Sequence, residues 1–70
     1  MTAAKKIRVL LVQRDMALKD LAKLLNISAP TLSNKMSRDN FREQDLREIA
    51  KVLNFDFDIV FTDQETGETF

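Results

Sequence analysis

The chain has 70 residues, of which 44% are hydrophobic and 31% charged, and this balance fits one small folded domain rather than a disordered chain. It contains neither Cys nor His, which excludes disulfides, thiolate and imidazole metal sites, and catalytic triads built on those side chains. The formal net charge is zero, but all eleven Lys and Arg lie in residues 1–51 beside six acids, whereas residues 52–70 hold five acids and no base. This asymmetry favours a basic binding body with an acidic tail, and solvated charge on both parts is the alternative.

Two further features of the composition restrict the function. Gly67 is the single glycine, so the chain has neither the dinucleotide-binding fingerprint nor a phosphate-binding loop, which need two or three glycines at fixed spacing. The longest apolar run, residues 9–12, is too short for a signal peptide or a membrane span. We therefore expect a cytoplasmic protein that requires no cofactor and no metal.

Apolar residues recur at helical spacing in four segments, and residues suited to helix ends flank them. The predicted helices are residues 3–14, 18–25, 29–37 and 42–53. Thr2 and Ser28 are suitable N-caps, and Pro30 falls at the second helical position, where its missing N–H is tolerated. Asn26 and Asn54 follow the second and fourth helices and favour the left-handed conformation that ends a helix. The first 54 residues are thus predicted to be helical.

The hydrophobic period changes from 3.6 to 2 after residue 54. Phe55, Phe57, Ile59 and Phe61 alternate with mostly polar residues, which predicts a half-buried strand over residues 55–62. Residues 63–67 are typical of a turn, in which Gly67 takes a positive φ, and residues 68–70 would form a short return strand. The sequence therefore predicts a mainly α fold with a short C-terminal β-strand or β-hairpin.

The second and third predicted helices have the pattern of a helix-turn-helix unit. Ala22 is small where the two helices cross, Asn26 turns the chain, and Ile27 and Leu32 fill the angle between the helices. The segment LKDLAKLLNISAPTLSNKM, residues 18–36, resembles the lambda-repressor-like (Xre or Cro-type) helix-turn-helix regulators, and FREQDLREIAKVLN, residues 41–54, resembles the helix that follows in that family. The resemblance covers roughly residues 4–54. It implies a four-to-five-helix DNA-binding domain over residues 1–54, with residues 29–37 as the recognition helix in the major groove.

The resemblance also implies which residues of the recognition helix touch bases. It places base contacts at Ala29, Pro30, Ser33 and Asn34. Ala29 and Pro30 are suited to pack on thymine methyl groups, because neither side chain donates a hydrogen bond. The amide of Asn34 matches adenine N6 and N7 bidentately, which makes Asn34 the sharpest predicted base contact.

Phosphate contacts are predicted for polar and basic residues around the same helix, since such contacts position a protein without sequence information. The predicted DNA-backbone contacts are Ser28, Thr31, Lys35, Arg38, Asn40 and Arg42. Helical spacing predicts an outward stripe of Thr31, Lys35 and Arg38. Lys35 stands where the family commonly has an apolar residue, so Met36 is expected to take over that packing.

The tail, residues 55–70, is predicted to be a dimerisation element. A single strand leaves its backbone groups unpaired, and the predicted return strand has only three residues. Pairing with the same strand of a second copy solves this, with Phe55, Phe57, Ile59 and Phe61 in the homodimer interface. A dimer would also carry two recognition helices about 34 Å apart, which suits a palindromic operator in double-stranded DNA. A hairpin that caps its own domain is the alternative.

Two hypotheses for function remain after these steps. The first is a small sequence-specific transcriptional regulator, a repressor that occupies an operator, with no enzymatic activity and no small-molecule ligand. The second is a protein-interaction module, such as an antitoxin-like or accessory protein, that reuses the fold. A protein-binding module would be expected to have an apolar patch on the third helix, and the outward residues Ser33, Asn34 and Lys35 favour the first hypothesis.

Overall fold

A computed structural model describes residues 2–70, and within that range the chain forms four helices. These are α1 (Ala3–Gln13), α2 (Leu18–Leu24), α3 (Ala29–Arg38) and α4 (Glu43–Val52). The four predicted helical segments and the mainly α fold class are therefore confirmed, with ends that differ by one residue or none. Met1, which the prediction included in the helical domain, lies outside the described residues.

Two helices begin at the predicted hydroxyl caps. The Oγ1 atom of Thr2 accepts a hydrogen bond from the Lys5 amide at 3.2 Å and caps α1. The Oγ atom of Ser28 accepts from the Thr31 amide at 3.2 Å and caps α3. Each bond satisfies one of the amides that have no partner inside the first turn of a helix. Pro30 lies in the first turn of α3, as predicted.

The other two helices begin in a different way, because Ala17 and Arg42 have no side-chain acceptor to offer. Instead, a carboxylate three residues on accepts a hydrogen bond from the backbone amide of the residue before the helix. Asp20 Oδ2 accepts from the Ala17 amide and Asp45 Oδ2 accepts from the Arg42 amide, each at 2.9 Å. Both carboxylates also lie where the positive end of the helix dipole stabilises negative charge.

An Asp or Asn in the left-handed conformation follows every helix. Asp15, Asn26, Asp39 and Asn54 have φ values of 53°, 58°, 51° and 63°. The predicted stops at Asn26 and Asn54 are confirmed, and the stops at Asp15 and Asp39 are additional. Asp39 has a second role, because its Oδ1 accepts from the Ala4 amide at 2.8 Å and so joins the end of α3 to the start of α1.

All four helices contribute to one hydrophobic core, in which α2 packs against α3 and α4. Leu21 and Leu32 are 0% exposed, and Leu53 is 2% exposed. Met36 is also buried, which agrees with the packing expected of it. The core residues are Ala4, Ile7, Leu11, Leu21, Ala22, Leu32, Met36, Ile49 and Leu53.

The prediction of a strand over residues 55–62 is wrong. Within residues 2–70, β-pairing is limited to one antiparallel bridge between Thr62 and Thr69. Around it, the amides of Phe61 and Phe70 each donate to the carbonyl of the other, at 2.9 and 2.8 Å. The hydrogen bonds around the bridge join residues 61–63 to residues 67–70, and residues 55–60 take no part in it. The predicted turn does form, and Gly67 has a φ of 80°.

The start of the tail is held against the helices by Arg14, which lies directly after α1. Its Nε donates to the carbonyl of Leu53 at 2.7 Å, and its Nη2 donates to the carbonyl of Asn54 at 3.1 Å. Its guanidinium carbon also lies 3.9 Å from the centre of the Phe55 ring, in a cation–π contact. Arg14 thus places positive charge at the carboxyl end of α4, where the helix dipole favours it.

We expect Arg14→Ala to lower the free energy of unfolding by about 1–2 kcal/mol, because it removes two charge-assisted hydrogen bonds and the stacking on Phe55. Urea unfolding followed by circular dichroism measures the loss. Arg8→Ala is the matched control, since Arg8 is an exposed arginine within α1. Equal stability of the two variants would contradict the role given to Arg14.

Candidate nucleic-acid interface

The turn between α2 and α3 has the geometry that the sequence predicted. Asn26 turns the chain with a φ of 58°, and the Ile27 amide donates to the Ala22 carbonyl at 3.0 Å. Ala22 is 2% exposed in the core, where a larger side chain would clash, and Ile27 packs half-buried beside it. This turn fixes the orientation of α3 relative to α2.

Two hydroxyl groups at the start of α3 are hydrogen-bonded to each other. Besides the capping bond, Ser28 Oγ and Thr31 Oγ1 lie 2.7 Å apart and share a hydrogen bond. Both residues are exposed, so their hydroxyl groups are still accessible to a partner. Hydroxyl groups and backbone amides at a helix N-terminus are donors suited to phosphate oxygens.

The predicted base-contacting residues lie in the N-terminal part of α3. Ala29, Pro30, Ser33 and Asn34 are all exposed. By helical spacing, Pro30 and Asn34 lie opposite the buried Leu32 and Met36, whereas Ala29 lies above the buried side and is exposed because it begins the helix. The face combines small apolar groups with a hydroxyl and an amide. Such a surface can approach base edges closely and distinguish them by hydrogen bonds and methyl contacts.

Five of the six predicted phosphate-contacting residues are exposed, and Lys35 is half-buried. Thr31 and Arg38 are exposed on α3, and Asn40 and Arg42 are exposed in the segment that joins α3 to α4. Lys35 departs from the outward stripe that we predicted, because it is half-buried and faces α4. Its Nζ lies 3.4 Å from Asp45 Oδ2. Lys35 follows Leu32 by three residues, which places it at the margin of the buried side.

Asp45 also contributes to this surface, although the sequence did not predict a role for it. The pKa of its carboxyl is lowered, chiefly by the hydrogen bond from the Arg42 amide. Partial burial opposes this shift, and the hydrogen bond and charge of Lys35 add to it. Asp45 is therefore ionised at neutral pH and provides a fixed negative charge beside α3.

The four residues predicted for a dimer interface fall into two groups. Phe55 and Phe57 are half-buried against the helices, and the guanidinium carbon of Arg47 lies 5.3 Å from the centre of the Phe57 ring. Ile59 and Phe61 are exposed, at 42% and 74%. The two exposed side chains are thus available to a partner, whereas the two inner rings contact their own domain.

The inner part of the tail lies beside α1 and α4. Phe55 and Phe57 help to line an apolar groove of about 210 Å³ between these helices. No residue of α3 lines this groove. In the part of the chain that the structure describes, no helix combines the length and the apolar character needed to cross a membrane.

Comparison with known families places this arrangement in context. The model of the Cro/C1-type HTH DNA-binding domain matches residues 6–59, which include α2, α3 and α4. The chain belongs to this family. The lambda-repressor-like resemblance is thereby confirmed, and the Cro/C1-type domain is a DNA-binding domain of a small regulator whose partner is double-stranded DNA. The family is typically not enzymatic. No curated protein and no solved structure gives a significant match to the chain.

Proposed function

We propose that the protein is a sequence-specific transcriptional repressor that inserts α3 into the major groove of its operator. The observation that carries the proposal is the exposed N-terminal part of α3, where Ala29, Pro30, Ser33 and Asn34 are all exposed within the first six residues of the helix. The N-terminal part of a recognition helix is the part that reaches base edges. Its proposed place of action is the cytoplasm.

Phosphate contacts on both sides of that face would hold the helix in register. The proposed contacts are Ser28, Thr31, Lys35, Arg38, Asn40 and Arg42. All except Lys35 are exposed, and Lys35 would first have to leave Asp45. Repression would follow from occupancy, because a bound protein of this kind excludes other proteins from the same stretch of DNA.

We further propose that the protein works as a homodimer on a palindromic operator, with residues 1–54 as the DNA-binding part and residues 55–70 as the dimerisation element. The proposal is supported by apolar side chains that the isolated chain leaves in water. Four apolar side chains of the tail are 42–74% exposed. Three of them are consecutive in the sequence and the fourth lies across the bridge, and they are Ile59, Val60, Phe61 and Phe70. The half-buried rings of Phe55 and Phe57 would extend this surface towards the helices.

Selection of bound sequences from a random duplex library, at two salt concentrations, tests the proposal. We expect an enriched motif with two-fold symmetry. Weak binding without enrichment, lost as salt rises, would leave only phosphate contacts. That result would favour a protein-interaction module, such as an antitoxin-like partner, for which the exposed side chains of the tail would be the binding surface.

Asn34→Ala is expected to relax the preference for one base pair in each half-site by about 1–3 kcal/mol, because it removes a bidentate amide contact. Stability should change little, since Asn34 is exposed. Competition binding with operator duplexes altered at single positions measures this. Arg38→Ala is the contrasting variant, expected to weaken binding to all sequences and to flatten the salt dependence by about one unit. Equal losses on operator and random DNA for Asn34→Ala would show that Asn34 reads no base.

A further inference from the structure

One ion pair connects the proposed recognition helix to the helix that follows it. Lys35 Nζ lies 3.4 Å from Asp45 Oδ2, and the two side chains are only 36% and 27% exposed. The lysine lines a cleft of about 70 Å³ whose other walls include Ile27, Leu32 and Phe41. The apolar stem of Lys35 is therefore accommodated by packing, and its charge is presented to α4.

The acceptor of this pair is fixed in place by a second bond. Asp45 Oδ2 also accepts from the Arg42 amide at 2.9 Å, as part of the first turn of α4. The carboxylate is thus hydrogen-bonded to the backbone at the start of α4 as well as paired with Lys35. Any movement of Lys35 towards DNA would have to break the pair.

Lys35 nevertheless adjoins the exposed side of α3. It lies one turn after Thr31 and one turn before Arg38, both exposed and both proposed to meet phosphates. A lysine has four rotatable bonds in its side chain, so the ammonium group can turn to this stripe when nothing holds it. Asp45 is what holds it in the free protein.

We infer that Asp45 is a positioning residue that withholds the charge of Lys35 from DNA phosphates and so limits the sequence-independent part of DNA binding. The inference rests on the proposed insertion of α3 into the major groove. Sequence-independent affinity depends on the number of phosphates that cations neutralise. One cation fewer on the recognition helix therefore weakens binding to every duplex and reduces its salt dependence.

The test is Asp45→Asn, measured by binding to a random-sequence duplex over a range of salt concentrations. An asparagine oxygen can still accept from the Arg42 amide, but the carboxylate paired with Lys35 is gone. Glu48 also lines the cleft, but it forms no ion pair with Lys35 among the described residues. We expect binding to tighten about 5–10-fold at 0.1 M salt, and the slope of log K against log salt to steepen by about 0.9, the value for one added phosphate contact. In a Lys35→Met background the same substitution should have no such effect.

Asp20→Asn is the matched control, because it removes an equivalent carboxylate that accepts from the Ala17 amide at 2.9 Å. Among residues 2–70 the ion pairs are Lys35 with Asp45 and Glu43 with Arg47, so Asp20 holds no described cation. Any effect of Asp20→Asn reports the general loss of one negative charge, and it should be the same with Lys35 or Met at position 35.

Three results would overturn the inference. They are weaker DNA binding by Asp45→Asn, an effect no larger than that of Asp20→Asn, or an effect that in the Lys35→Met background still exceeds that of Asp20→Asn. Acetylation of Lys35 in the absence of DNA gives a second measure, since loss of the pair should raise its reactivity relative to Lys19. The proposed function has a separate test, because it fails if the unaltered protein enriches no sequence from the library. In that case the salt slopes measured on random duplexes would still decide the role of Asp45.

Discussion

Leu21→Ala is expected to lower the free energy of unfolding by about 3–4 kcal/mol, within the range found for buried leucines truncated in well-packed cores. Leu21 is 0% exposed and belongs to α2, which packs against both α3 and α4. Total stability for a domain of this size is about 4–10 kcal/mol. The substitution should therefore remove a large share of the stability, and with it the fixed orientation of α3.

Leu24→Ala is the control, because Leu24 lies in the same helix and is 50% exposed. It should change the free energy of unfolding by less than about 1 kcal/mol, as expected of surface substitutions. Thermal unfolding followed at 222 nm should show a fall of about 12–32 °C in the melting temperature for Leu21→Ala only. Similar melting temperatures for the two variants would mean that α2 does not pack as described.

The helices were predictable from the sequence because their causes are local. Apolar residues at helical spacing, the hydroxyl caps Thr2 and Ser28, and the stops at Asn26 and Asn54 all act within a few residues. The stops at Asp15 and Asp39 were missed since aspartate adopts the left-handed conformation less readily than glycine, and such a stop depends on the surrounding contacts. Asp39, for example, is held by the Ala4 amide, 35 residues away in the sequence.

The strand prediction failed for a different physical reason. Alternation of apolar and polar residues reports that a segment has two unlike sides, but it does not supply a neighbouring strand. Phe55 and Phe57 place their rings against the helices under Arg14 and Arg47, which accounts for the apolar side of the pattern without any ladder. This stacking depends on Arg14, directly after α1, and on Arg47 of α4. Both lie outside the tail, so no pattern within the tail predicts it.

The exposed face of α3 was also predictable, because it follows from the same periodicity that buries Leu32 and Met36. The orientation of Lys35 was harder to predict. Its spacing from Thr31 and Arg38 predicted an outward side chain, whereas the structure pairs it with Asp45, ten residues further along the chain. Which residues of the face meet bases and which meet phosphates stays a prediction that the DNA-binding experiments decide.

Two exposed aromatic side chains lie next to each other in the tail. Phe61 and Phe70 are each 74% exposed and lie opposite each other in a mutually hydrogen-bonded pair, so their rings project from the same side. Thr62 and Thr69 form the neighbouring bridge and project from the other side. Exposed aromatic rings next to each other favour burial against a partner. We propose a second copy as this partner, because a dimer would also double the number of α3 helices available to DNA.

Phe61→Asp is expected to convert a dimer into a monomer and to weaken operator binding about 100-fold, since the two half-sites would then be bound independently. Helical circular dichroism should not change, because Phe61 lies outside the core. Light scattering at micromolar concentration and operator binding measure the two effects. Thr69→Asp adds the same charge on the opposite side of the bridge and should leave the dimer intact. An unaltered protein that is monomeric both alone and on DNA would end the dimer hypothesis, and the exposed rings would then belong to contacts with another protein.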